Sequence, residues 1–158
     1  MKKIAPSPIT LRELTLEEMP GIFPLIKAHN PKMTKTLFRD RLTAMLPLGY
    51  RALAAFQGEA MVAVSGFWIR TRFWCGKQLD VDNFFVDEAC RSGGVGAQML
   101  GWLEQKALAE DCELMVLDVY SDNTLAQRFY HRMGFTITGY HFTKIPGTTT
   151  PYGRSNPH

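Results

Sequence analysis

Three glycines within four positions, in the run Arg91-Ser92-Gly93-Gly94-Val95-Gly96-Ala97, constrain this chain more than any other feature. A strand-like stretch over 77–86 precedes the run. A helix pattern follows it, with Val95, Met99, Trp102 and Leu103 recurring at helical spacing. Glycine at a strand-to-helix turn leaves the backbone uncrowded and lets amide groups converge. A helix start also carries partial positive charge and unpaired N–H groups. Together these predict a seat for phosphate or pyrophosphate, with Arg91 as a forked cation at its rim. A Walker loop would place Lys and then Ser or Thr after the last glycine, where the chain has Ala97-Gln98. A dinucleotide fingerprint would place glycine at 99, where Met99 stands. Both are excluded.

The rest of the chain supplies a frame for that turn. Residues 9–14 alternate as a strand. Thr15 and Glu18 form a capping-box signature for a helix through about residue 28, with Pro24 kinking or dividing it. A second helix is predicted over 33–46, then strands over 50–56 and 60–70 around the turn Gln57-Gly58-Glu59. The strand over 77–86 is the fourth. A helix over 95–110 leads to a buried strand over 113–120. Ser121, Asp122 and Asn123 offer caps for a short helix ending at Met133, with Gly134 as its left-handed stop. Residues 135–144 read as a last strand or strand pair. The order β-α-α-β-β-β-α-β-α-β predicts a mixed α/β sheet with helices on both faces. Residues 1–145 are read as a single domain and 146–158 as a flexible tail rich in Pro, Gly, Thr, Ser and Asn.

Composition narrows the function classes. Of 158 residues, 46% are hydrophobic and 21% charged, which suits a soluble globular chain. No apolar run approaches the roughly 18 residues of a membrane span. A net charge of +3 is too small to indicate a nucleic-acid binder, and suits a protein holding one small anionic ligand. Cys75, Cys90 and Cys112 form no disulfide pattern, and the scattered histidines give no zinc spacing, so no metal is expected. Lys2 and Lys3 are followed by Pro6 and Pro8 rather than an apolar run, so a secretory signal is not expected and a cytoplasmic location is.

The run from Arg91 to Ala97, as Arg-x-x-Gly-x-Gly-Ala, resembles the acetyl-coenzyme A pyrophosphate loop of the GNAT superfamily of N-acetyltransferases. A second block, Asn123-x-x-Ala126-x-x-Phe129-Tyr130-x-Arg132-x-Gly134-Phe135, resembles that family's signature in its last helix. The resemblance covers roughly residues 8–144. It implies a GNAT-like mixed sheet whose fourth and fifth strands splay to hold coenzyme A. Backbone groups of Phe85 and Val86 would pair with the pantetheine arm like an added strand. Amides of Arg91, Ser92, Gly93, Gly94, Val95, Gly96 and Ala97 would hold the pyrophosphate, Asn123 would meet the pantetheine, and Arg132 the nucleotide phosphates. The family often has a basic residue at position 93; with Gly93 here, Arg128 or Arg132 would compensate. Tyr130 matches the tyrosine that protonates the coenzyme A sulfur. The activity implied is direct acetyl transfer from acetyl-CoA to a primary amine of a small molecule or peptide. The alternative is a non-catalytic acyl-CoA sensor.

Such transfer needs a neutral amine. An alkyl amine with a pKa of about 10.4 loses its proton at pH 7 at a cost of roughly 4–5 kcal/mol. Asp80 and Asp82, two apart, share a strand face that Phe84 and Val86 continue unless a bulge intervenes. Asp80 stands eleven residues before Arg91, where some family members carry a catalytic glutamate, while Asp82 stands closer to the thioester. Either of them, or neither, would take the proton, directly or through water. Two hints about the acceptor diverge. Phe67, Trp68, Phe73 and Trp74 with Asp80, Asp82 and Glu59 would cradle a cation. Lys32, Lys35, Arg39 and Arg41 make a basic lip for an acidic group. An exposed Trp74 and free strand ends leave a homodimer open.

Overall fold

The computed structural model describes residues 8–152. The readings made on residues 1–7 and on the tail beyond 152 lie outside the described residues. Five strands, β1 (Ile9–Glu13), β2 (Arg51–Gln57), β3 (Ala60–Arg72), β4 (Gly76–Val86) and β5 (Leu114–Leu117), form one sheet in that order. Neighbours from β1 to β4 are antiparallel, and β5 lies parallel to β4. The parallel pair needs a crossover, which is α3 (Val95–Ala109); α4 (Thr124–Arg132) follows β5. The connection from β1 to β2 carries α1 (Phe23–His29) and α2 (Lys35–Met45).

Both faces of the sheet are covered. Met19, Ile22, Ile26, Leu42, Tyr50 and Trp68 form the core under α1 and α2. Leu53, Phe67, Leu79, Met99 and Leu103 form the core under α3. Burial on two sides explains why Ala52, Leu53, Ala54 and Ala55 are all buried in succession rather than alternately.

Three expectations change. The helix predicted from Thr15 does not start there, although Glu18 does accept the Thr15 N–H at 2.9 Å. Pro20 and Pro24 lack the N–H that a continuous helix needs. The chain instead makes a 3-10 turn over Met19–Ile22 and then the separate α1, so the segment is divided beside Pro24, as expected, with that proline in the first turn of α1. The last strand, over 135–144, does not form: among the described residues this stretch has no regular structure, and Ile137, Tyr140 and Phe142 are exposed. Strand propensity expresses fit to a neighbouring strand, and β5 ends after four residues.

The third change matters most for the site. Asp82 faces Gly66 and Phe85 faces Val64, so Asn83 and Phe84 together stand against Ser65. Asn83 takes a left-handed φ of 48° to accommodate this bulge. The alternation resets. Asp82 remains on the α1/α2 side and is joined there by Phe85, while Phe84 and Val86 turn toward α3.

Candidate active site

The α1/α2 side of β4 forms a half-open cavity of about 170 Å³. Phe38, Leu42 and Met45 of α2 line it at helical spacing, opposite Ile22, Ile26 and Met33. Four polar groups interrupt this apolar wall: Arg41, Tyr50, Asp82 and Asn83. The Trp68 indole Nε1–H donates to Asp82 Oδ2 at 3.1 Å, which fixes the carboxylate and leaves its other oxygen without a hydrogen-bond partner among the described residues. Burial, and then the charge of Asp82, pushes the Tyr50 phenol up to about 12, so it is neutral at physiological pH. Asn83 Nδ2 lies 3.5 Å from the same phenol oxygen. Gly66 makes room for that ring, since a Cβ there would lie 2.2 Å from the Tyr50 oxygen. Arg41 is exposed at the rim and makes no ion pair among the described residues.

Asp80 does not line the cavity. Burial raises its pKa above the ordinary carboxylate value; Arg70 opposes this, and Asp82 and Asp118 add to it. The aromatic cluster expected around it is dispersed. Phe67 is buried in the core under α3, Phe73 and Trp74 are exposed, and Trp68 alone reaches a site carboxylate.

The other edge of β4 is open where the glycine run begins. Pairing with β5 extends only from Gln78 to Val81, so residues 82–86 face no strand on that side. Asp87 accepts the Ala89 N–H at 2.9 Å and opens a 3-10 turn over Glu88–Gly93. Gly94, at φ 74°, then turns the chain into α3. No side chain caps α3, and its first internal bond runs from the Gln98 N–H to the Gly94 carbonyl at 3.1 Å. The amides of Val95, Gly96 and Ala97 therefore lie ahead of the hydrogen-bonded turns. Arg91 Nε donates to the Val86 carbonyl at 3.1 Å, and the guanidinium lies 5.5 Å from the Phe85 ring centroid. This ties the basic rim to the strand end.

Tyr130 approaches the same place from α4. Its ring packs edge-on to Phe84 and to Phe135, with centroids 6.1 and 5.9 Å apart. Burial alone pushes its phenol up to about 12, and its hydroxyl has no hydrogen-bond partner among the described residues. Gly96 permits this convergence, because a Cβ there would lie 3.2 Å from the Phe129 ring and 3.6 Å from Phe84. Asn123 Oδ1 caps α4, accepting the Ala126 N–H at 3.1 Å, which fixes the side chain and leaves its amide N–H groups to donate. Arg128 and Arg132 are exposed on α4 and make no ion pair among the described residues.

The structure thus gathers Phe85, Val86, Arg91, the glycine run and Tyr130 around one strand end, with Asp82 on its other face. An unpaired strand edge, an uncapped helix start and an orphaned phenol fit a coenzyme A thioester. Tyr50 and Asn83 escaped the sequence reading. Gly66, a glycine inside a strand pattern, is the signal that points to Tyr50, since such a glycine marks a close approach.

The acetyltransferase (GNAT) family model matches residues 10–135, and the chain belongs to that family of enzymes. It is 29% identical over 140 residues to the aminoalkylphosphonate N-acetyltransferase of Salmonella typhimurium, covering 85% of this chain and 89% of that one. Over 61 residues it is 39% identical to the spermine/spermidine N(1)-acetyltransferase of Bacillus subtilis, covering 37% of this chain and 40% of that one. Its fold matches aminoglycoside N-acetyltransferase AAC(6')-Iy, solved in complex with CoA, with a TM-score of 0.78 at 17% identity, covering 90% of this chain and 97% of that one.

Proposed function

We propose that this protein transfers an acetyl group from acetyl-coenzyme A to a primary amine, directly, with both substrates bound together. The observation that carries the reading is the pairing across one strand end: the Asp82 cavity on one face, Tyr130 and the uncapped start of α3 on the other. Two relatives named for amine acetylation, and a same-fold neighbour solved with CoA, support it.

Acetyl-coenzyme A supplies an activated acyl carbon and a thiol leaving group. Backbone groups of Phe85 and Val86 hold its extended arm as an added strand, and the amides from Gly93 to Ala97 hold its diphosphate. Asp82 takes one proton from the bound ammonium, directly or through water, and frees the nitrogen lone pair. An amide at the end of β4 stabilises charge growing on the acyl oxygen. As the C–N bond forms and the C–S bond breaks, Tyr130 gives its phenolic proton to sulfur. The second proton lost by nitrogen returns to the phenol through water, and the proton on Asp82 leaves to solvent. A cytoplasmic location accompanies this reading, supported by three free cysteines.

Free thiol measured with acetyl-CoA and a panel of amines tests the proposal. Amine-dependent thiol release with matching N-acetyl product is expected. Tight acetyl-CoA binding with no release for any amine would make the protein a sensor instead.

A further inference from the structure

We propose that the acceptor is a small zwitterion, a primary amine bearing its own anionic group, with the ammonium at Asp82 and the anion at Arg41. The bond made rests on the acetyl-transfer reading; the binding does not. The cavity holds two formal charges of opposite sign in an otherwise mostly apolar wall. Asp82 is fixed on β4 by Trp68, and Arg41 stands on α2 at the rim. Of the basic lip, Lys32, Lys35 and Arg39 do not line the cavity, and Arg39 lies 3.5 Å from Asp40. Arg41 alone lines it, with its guanidinium unpaired among the described residues. Its planar fork suits a carboxylate or a phosphonate.

Charge also argues against the other acceptor classes. A polyamine seated on Asp82 would bring its second ammonium toward Arg41. A plain alkyl amine would leave Arg41 unused. One residue from each of the two sequence hints, Asp82 from the cation cradle and Arg41 from the basic lip, lines this cavity.

The test compares β-alanine, 2-aminoethylphosphonate, n-butylamine and spermidine on the wild type, Arg41→Ala and Arg41→Lys. Readouts are thiol release, and calorimetric binding to the protein loaded with coenzyme A. Alanine favours helix, so α2 is expected to persist in the variant. The wild type is expected to favour at least one zwitterion over n-butylamine and spermidine by about tenfold or more in kcat/KM. Arg41→Ala should cut that preference by about ten- to hundredfold, mostly through KM, and Arg41→Lys should restore part of it. The two zwitterions separate a carboxylate site from a phosphonate site. An unchanged preference in Arg41→Ala, or a wild type that prefers n-butylamine or spermidine, overturns the proposal while acetyl transfer stands. If no amine releases thiol, acetyl transfer fails alone. Zwitterion binding lost in Arg41→Ala then still carries this proposal, and no binding overturns it.

Discussion

Asp82 and Tyr130 sit near one strand end in environments that suit opposite duties. Asp82 keeps one oxygen on the Trp68 indole and one open to the cavity, as a proton acceptor requires. Tyr130 is held protonated, with its pKa pushed up to about 12, so its phenol is able to donate a proton across the neutral range. Tyr130→Phe should lower kcat about a hundredfold with little change in acetyl-CoA affinity, checked by steady-state kinetics and calorimetry. An alkaline limb in the rate profile well below pH 12 would belong to another group. Asp80 gives a prediction of opposite sign. Its folded pKa is raised, so the native state binds more protons than the unfolded chain and stability falls as pH rises past the ordinary carboxylate value. Asp80→Asn should therefore melt higher than wild type at pH 7, with the gain vanishing below that value, checked by melting curves across pH. Gly66→Ala should drive its methyl group into the Tyr50 ring, costing about 1–3 kcal/mol and raising KM for the amine more than for acetyl-CoA.

At the scale of elements, what was legible depended on whether the signal was local. The glycine run, the hairpin at Gly58 and the left-handed stop at Gly134 rest on turn chemistry within a few residues, and each forms. The bulge at Asn83 and Phe84 depends on what β3 places opposite, and no pattern within β4 reveals it. The strand expected over 135–144 has the right alternation but forms no ladder with another strand among the described residues. The capping-box pair at Thr15 and Glu18 makes one of its bonds, yet the regular helix begins only at Phe23, after a 3-10 turn over Met19–Ile22. Asp82 was legible as a candidate; its separation from Asp80 required the cavity. At the glycine run, Gly94→Ala should cost about 1–2 kcal/mol, because alanine resists the left-handed φ of 74° that starts α3. Chemical denaturation measures that loss.

Across the whole molecule, the proposed site and a scaffolding ion cluster occupy opposite ends of α3. Its start meets the open edge of β4, while its last turns carry Lys106 and, just beyond, Glu110 into an ion cluster. There Arg51 bonds Glu13 at 2.6 Å and Glu110 at 3.1 Å and lies over the Phe67 ring, tying β1, β2 and the end of α3 together. Arg51→Ala should lower stability by about 2 kcal/mol, with kinetic constants at the wild-type level. Denaturation and steady-state assays on one preparation check both.

Amide chemical shifts recorded while coenzyme A is titrated into labelled protein test the placement of the acyl carrier most directly. The largest changes are expected at Gly93 through Ala97 and at Phe85 and Val86. Saturable binding that leaves those amides unmoved and shifts a cluster elsewhere would contradict the account.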